Sequence, residues 1–245
     1  MTNYRLTLAY EGTRYSGWQK QGNTDNTIQG RLETLLTRLT GRETQVHGCG
    51  RTDAGVHARM QVCSFRVPDE VGRDTLIAGL RQYLPQDIAA LALEAADERF
   101  HARLSCKKKT YLYRINTGET QDVFARRFQW HLPGPVDLEA LDRAAALLCV
   151  RADFSAFTNN RHMKKSAVRT LMSVESEREG DELRLFFTAD GFLYNMVRIL
   201  TGTLIEVGRG ERAPETAAEG LRTRERRDAG AMAPAQGLTL WEVFY

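Results

Sequence analysis

No apolar run in this 245-residue chain is long enough to enter a bilayer. The longest, Ala144–Val150, falls far short of the roughly 18 residues a spanning helix needs. The N-terminus lacks a charged segment followed by an apolar stretch, so no secretory signal is visible and a cytoplasmic location is expected. Cysteine is scarce and scattered. Cys49, Cys63, Cys106 and Cys149 form no C-x-x-C pair, which suits a reduced compartment better than a disulfide framework. His47, Cys49, His57 and Cys63 lack the paired spacing of a structural zinc site, and the H-x-E with P-C-x-x-C of the zinc deaminases is missing. No Walker sequence accompanies the glycines, so a nucleotide-phosphate loop is excluded. Neither a metal nor an organic cofactor is expected. What remains, 42% hydrophobic and 27% charged, is ordinary globular composition. The length allows one large domain or two of about a hundred residues, with a sizeable core.

Acid is absent from two segments. Arg99–Gly118 holds Arg99, Arg103, Lys107, Lys108, Lys109 and Arg114 without one Asp or Glu, and Ser155–Val174 holds Arg161, Lys164, Lys165 and Arg169. Either run alone reads equally well as a solvated face. Together, and carrying Phe100, Tyr111, Tyr113 and Phe157, they predict a phosphate-tracking surface with stacking groups. The net charge of +3 adds little to that.

The apolar pattern runs β-α-β-β-α-β twice, the ferredoxin-like order. Tyr4, Leu6, Leu8 and Tyr10 alternate as in a half-buried strand. Ile28, Leu32, Leu35, Leu36 and Leu39 recur at helical spacing, with Asn26 or Thr27 as N-cap and Gly41 as the stop. Strands are expected around Thr44–Cys49, Gln61–Val67 and Ile88–Leu93, with a helix on Leu76, Ile77, Leu80 and Leu84. The second half gives a strand over Lys108–Asn116, a helix capped by Asp137, and strands over Val168–Glu175 and Leu183–Ala189. A helix over Phe192–Val207, an arginine-rich helix near Pro214–Arg227 and a closing strand over Leu238–Phe244 follow. The fold class is α+β: two ferredoxin-like halves, residues 1–105 and 106–245, forming a mixed, largely antiparallel sheet with a basic cleft between them. No low-complexity linker separates the halves.

The most informative string is Gly48–Ala58, GCGRTDAGVHA. Its glycines permit a tight turn and close approach of another molecule. Arg51 stands two residues from Asp53, and a cation within about 4–6 Å favours an ionised carboxylate. His57 and Arg59 add donors suited to a polyanion. An aspartate that only hydrogen-bonds its own turn is the plain alternative.

GRTDAGVHA resembles the signature of the TruA family, the tRNA pseudouridine synthases of the anticodon stem-loop. The resemblance extends along nearly the whole chain: Tyr10-Glu11-Gly12 with Tyr15-Ser16-Gly17-Trp18-Gln19, Phe100-His101-Ala102-Arg103, Lys109-Thr110-Tyr111-Leu112-Tyr113, and Phe192-Leu193 with Met196-Val197-Arg198 and Gly202. Thr239 departs from it, since many members carry an aromatic residue there.

The resemblance implies a nucleophilic Asp53, with Tyr111, Arg51 and Arg198 completing the catalytic set. It also implies a homodimer acting on tRNA at uridines 38, 39 and 40. Substrate binding is expected from Tyr111, Arg51, His57, Lys164 and Lys165. Tyr111 stacks on a flipped uracil and its phenol serves the carbon-5 proton, with Tyr113 as the packing alternative on the same face. A buried helix arginine needs a carboxylate, and for Arg198 the candidate is Asp53. Two other readings stay open: a tandem RNA-binding module without catalysis, and a synthase with a different RNA site choice.

Overall fold

A computed structural model describes residues 1–160, 163 and 165–245. These fall into two compact units, Met1–Lys107 with Leu240–Tyr245, and Lys108–Thr239. The last six residues belong to the first unit. Within that unit the Lys107 N–H donates to the Phe244 carbonyl at 2.9 Å, and the Tyr245 hydroxyl donates to the Ala102 carbonyl at 2.8 Å.

The first unit is built from β1 (Thr2–Tyr10), α1 (Ile28–Thr40), β2 (His47–Gly48), β3 (His57–Val67), α2 (Arg73–Tyr83) and β4 (Ile88–Ala95). β1 lies between β4 and β3, antiparallel to both, and β2 lies antiparallel on β3. This is the expected ferredoxin-like order. Tyr4, Leu6, Leu8 and Tyr10 are buried along β1, as their alternation requires. Ile28, Leu32, Leu35 and Leu36 bury the inner face of α1. Thr27 is its cap, accepting from the Gly30 N–H at 3.2 Å, and the chain leaves the helix through Gly41 at φ +70°.

β2 is shorter than the Thr44–Cys49 expected. The Thr44 N–H donates to the Thr37 hydroxyl and the Val46 N–H to Glu33 Oε1, so side chains of α1 take the place of a ladder.

The second unit holds β5 (Lys108–Asn116), β6 (Trp130–His131), α3 (Leu138–Leu148), β7 (Arg151–Asp153), β8 (Val168–Glu179), β9 (Glu182–Ala189), α4 (Met196–Gly208) and α5 (Glu219–Thr223). Its strands run β5-β9-β8-β7, antiparallel at β5–β9, β9–β8 and β8–β7, with β6 parallel to β5. Asp137 caps α3 as expected, accepting from the Ala140 N–H at 3.0 Å.

Two helices differ from expectation for a shared reason. α4 begins at Met196, not Phe192, because Asn195 sits at φ 61°, which interrupts a right-handed helix. The stretch Pro214–Arg227 breaks into short turns around α5, with Arg224 at φ 62° ending it. The final strand, β10 (Leu238–Phe244), keeps its expected bounds and neighbours β3. Among the described residues no helix is long and apolar enough to cross a membrane.

Candidate active site

Asp53 stands half-buried on the loop between β2 and β3. The loop is clamped by the segment that leaves β1. The Trp18 N–H donates to the Thr52 carbonyl at 3.0 Å, and the Gly12 N–H donates to His57 Nδ1 at 3.0 Å. At Gly12 a Cβ would lie 1.9 Å from the Val56 carbonyl oxygen. At Gly17, with φ +93°, it would lie 2.7 Å from the Thr52 carbonyl oxygen. Two backbones therefore meet with no room for a side chain between them, at glycines that flank the clamp. Beyond Asp53 the chain turns at Gly55, φ +79°, and the Val56 N–H closes the turn on the Asp53 carbonyl at 3.2 Å.

Behind the loop runs a buried polar relay. Gln61 is fully buried, and its Nε2 donates to the Gly50 carbonyl at 2.9 Å and to the Tyr10 hydroxyl at 3.4 Å. The Tyr10 hydroxyl meets the Thr52 hydroxyl at 2.9 Å. Since the Tyr10 oxygen accepts from Gln61, its own proton is directed to Thr52. Gln61 Oε1 is buried without a partner among the described residues, and turning the amide over would only set it against the Gly50 carbonyl. Burial raises the Tyr10 phenol well above its ordinary range, so it remains a neutral donor. Tyr10, Thr52 and Gln61 escaped the sequence reading as a site. Alternation put Tyr10 on the inward face of β1, but nothing local reveals hydroxyl partners 42 and 51 residues away.

Each remaining site residue has a definite environment. Arg51 is exposed and forms no ion pair among the described residues, so it does not clasp Asp53 as the spacing suggested. His57 corrects a second expectation. It is 1% exposed with Nδ1 accepting from Gly12, a strut inside the loop and not a donor offered to a polyanion. Lys165 is exposed, while Lys164 lies outside the described residues.

In the second unit Tyr111 is buried on β5, edge-on to Phe192 with ring centroids 5.1 Å apart. Arg198, in the first turn of α4, donates from Nε to the Ala233 carbonyl at 2.7 Å, and its own carbonyl accepts from the Ala233 N–H. Tyr113 is the packing tyrosine. It is fully buried, with its hydroxyl donating to the Pro234 carbonyl at 2.7 Å, and burial pushes its phenol up sharply.

The basic segments are also less uniform than their composition implied. Arg114 pairs through two nitrogens with Glu182, at 2.8 Å each, and Phe157 is wholly in the core. Phe157 is not offered to solvent, and Arg114, with 28% of its side chain exposed, is committed to that pair. Among the described residues no group of three potential ligands could hold a metal.

A loop clamped at Gly12 and Gly17 thus presents one half-buried carboxylate, with an exposed arginine two residues before it, on an α+β scaffold. The chain belongs to the tRNA pseudouridine synthase family, whose sequence pattern matches residues 7–114 and 144–245. It is 41% identical over 243 residues to tRNA pseudouridine synthase A 2 of Bacillus anthracis, covering 99% of each chain. To tRNA pseudouridine synthase A of Brevibacillus brevis it is 42% identical over 245 residues, covering 100% of each. Among solved structures, a chain of a Cbf5-Nop10-Gar1 complex aligns at 11% identity with a TM-score of 0.35, over 82% of this chain and 45% of that one.

Proposed function

We propose that this protein isomerises uridine to pseudouridine in tRNA, at positions 38, 39 and 40 of the anticodon stem-loop, with Asp53 as its nucleophile. The observation that carries the reading is the half-buried Asp53 carboxylate on a loop clamped at Gly12, Gly17 and Thr52. A group held this way loses little freedom when it reacts.

The reaction breaks the bond between uracil N1 and ribose C1′, turns the base, and joins C5 to C1′. The C5 proton then leaves and N1 gains one, so atoms balance without an oxidant or co-reactant. Electron demand at C1′ is met by a carboxylate, either by covalent attachment, as in retaining glycosidases, or by removing a sugar proton to give a glycal. Tyr111 stacks on the extruded uracil, and its phenol oxygen serves the C5 proton. Arg198, anchored by its Nε on Ala233, and the exposed Arg51 supply positive charge for the RNA backbone. Lys164 and Lys165 track phosphates.

The protein acts as a homodimer in the cytoplasm. Phe124 at 94% and Val123 at 58% exposure lie next to each other in sequence, an apolar pair of the kind a partner subunit covers. Light scattering returning the 27.7 kDa of one chain at micromolar concentration would refute the dimer.

The deciding experiment is sequencing of tRNA treated with the protein for pseudouridine, with and without Asp53. Modification appearing only with Asp53, at positions 38–40, is expected. Modification that survives its loss would promote the reading of a non-catalytic role for this loop.

A further inference from the structure

A groove of about 690 Å³ opens on the first unit, away from Asp53 in sequence. It lies between the β2–β3 edge and the segment Asp97–Ser105. Its wall carries His47, Arg66, Arg99, Phe100 and His101, and among the described residues the one acid lining it is Glu98. The imidazoles of His47 and His101 stack with centroids 4.9 Å apart and planes 28° from parallel. His101 Nδ1 accepts from the Arg103 and Leu104 N–H groups at 3.1 and 3.3 Å, which fixes the ring and leaves its proton on Nε2. Burial, and then the neighbouring His47, hold the His101 imidazole below its ordinary range, so the stack carries no pair of like charges.

The segment has no regular secondary structure, yet side chains pin it throughout. Asn3 Nδ2 donates to the Asp97 and Phe100 carbonyls, Arg66 to the Glu98 carbonyl, and the Ala102 N–H donates to the Ser64 hydroxyl. The groove is thus shaped in advance, while the groups at its mouth are unspent. His47 and Arg99 are exposed, and neither side chain forms a hydrogen bond or ion pair among the described residues.

We propose that this groove binds one unpaired nucleotide of the RNA substrate. The base stacks on the His47 face of the imidazole pair, and its phosphate is held by Arg99 and Arg66. Single-stranded RNA is recognised by this combination, a π-face for the base and guanidinium groups for the backbone. A cavity of this volume takes a nucleotide with room for its sugar. The assignment rests on the reading that the protein acts on tRNA, and it concerns affinity, not the chemistry at Asp53.

The test compares full-length wild type with the double variant His47→Ala/Arg99→Ala and with His47→Phe, all matched for melting midpoint. Affinity for full-length tRNA should fall about tenfold or more in the double variant, with KM rising and kcat at saturating RNA unchanged. His47→Phe, which keeps a π-face, should stay within about twofold of wild type. Titration with uridine 5′-monophosphate should shift the His47 imidazole resonance, and inorganic phosphate at equal concentration should not. Unchanged affinity in the double variant, or a His47→Phe as weak as the double variant, overturns the proposal. An equal response to phosphate would mean an anion site only and overturns it as well. Wild type that uses the groove but forms no pseudouridine would sink the enzymatic reading and leave the groove standing. Active wild type whose variants bind alike sinks the groove alone.

Discussion

The Gly12 N–H donates to Nδ1 of the buried His57 at 3.0 Å, tying the segment after β1 to the far side of the Asp53 loop. The contact needs glycine, because a methyl group at position 12 would stand 1.9 Å from the Val56 carbonyl oxygen. Gly12→Ala must push the two backbones apart. A loss of about 1–3 kcal/mol in urea unfolding is expected from overpacking of this kind, with pseudouridine formation reduced further than the folded fraction accounts for. Stability and activity both at wild-type level would show that the clamp yields without cost.

Asp53→Asn keeps the shape of the side chain and removes its capacity to attack or deprotonate. Single-turnover pseudouridine formation on an anticodon-arm RNA should be abolished, while tRNA affinity stays within a few-fold of wild type. A residual rate near wild type would remove Asp53 from the chemistry.

Tyr111 and Tyr113 should respond in opposite ways to loss of the hydroxyl. Tyr113→Phe leaves the Pro234 carbonyl without its 2.7 Å donor in a part-buried setting, at a cost of about 1 kcal/mol in stability and little in turnover. Tyr111→Phe should fold like wild type, bind tRNA and turn over slowly, since only the proposed C5 base is gone. Thermal melts alongside single-turnover rates separate the two. A reversed pattern would exchange their roles.

Glu182 sets an acid limit on the second unit. The Arg114 guanidinium beside it, helped by Arg184, lowers its carboxyl from 4.5 to about 2. A depressed carboxylate contributes stability that is fully present above its unfolded value and is lost as pH falls through the folded one. The loss should therefore fall between pH 4.5 and about 2. Its size is on the order of 2–3 kcal/mol, because the pair is mostly shielded from water. Glu182→Gln should flatten the stability–pH curve in that window and leave the slope near neutrality untouched. A wild-type slope retained in the variant would place the acid sensitivity elsewhere.

Much of this protein was legible in its sequence, because the signals were local. Alternation at Tyr4, Leu6, Leu8 and Tyr10 and the helical spacing from Ile28 to Leu36 depend on residues a few positions apart, and β1 and α1 form where those patterns lie. The Asp53 string is equally local and pointed to the family.

Tertiary structure decided what depends on partners far along the chain. His57 reads as a polyanion donor until Gly12, 45 residues earlier, takes its Nδ1. Arg114 reads as a free cation until Glu182, 68 residues later, claims two of its nitrogens. The relay from Gln61 through Tyr10 to Thr52, and the stack of His47 on His101, exist only once β1, β3 and the Asp97–Ser105 segment are folded together. The physical reason is the same in each case. A hydrogen bond or a ring contact acts over a few ångströms of space, and that space is filled from any distance in sequence, whereas periodicity records only which face of an element is dry.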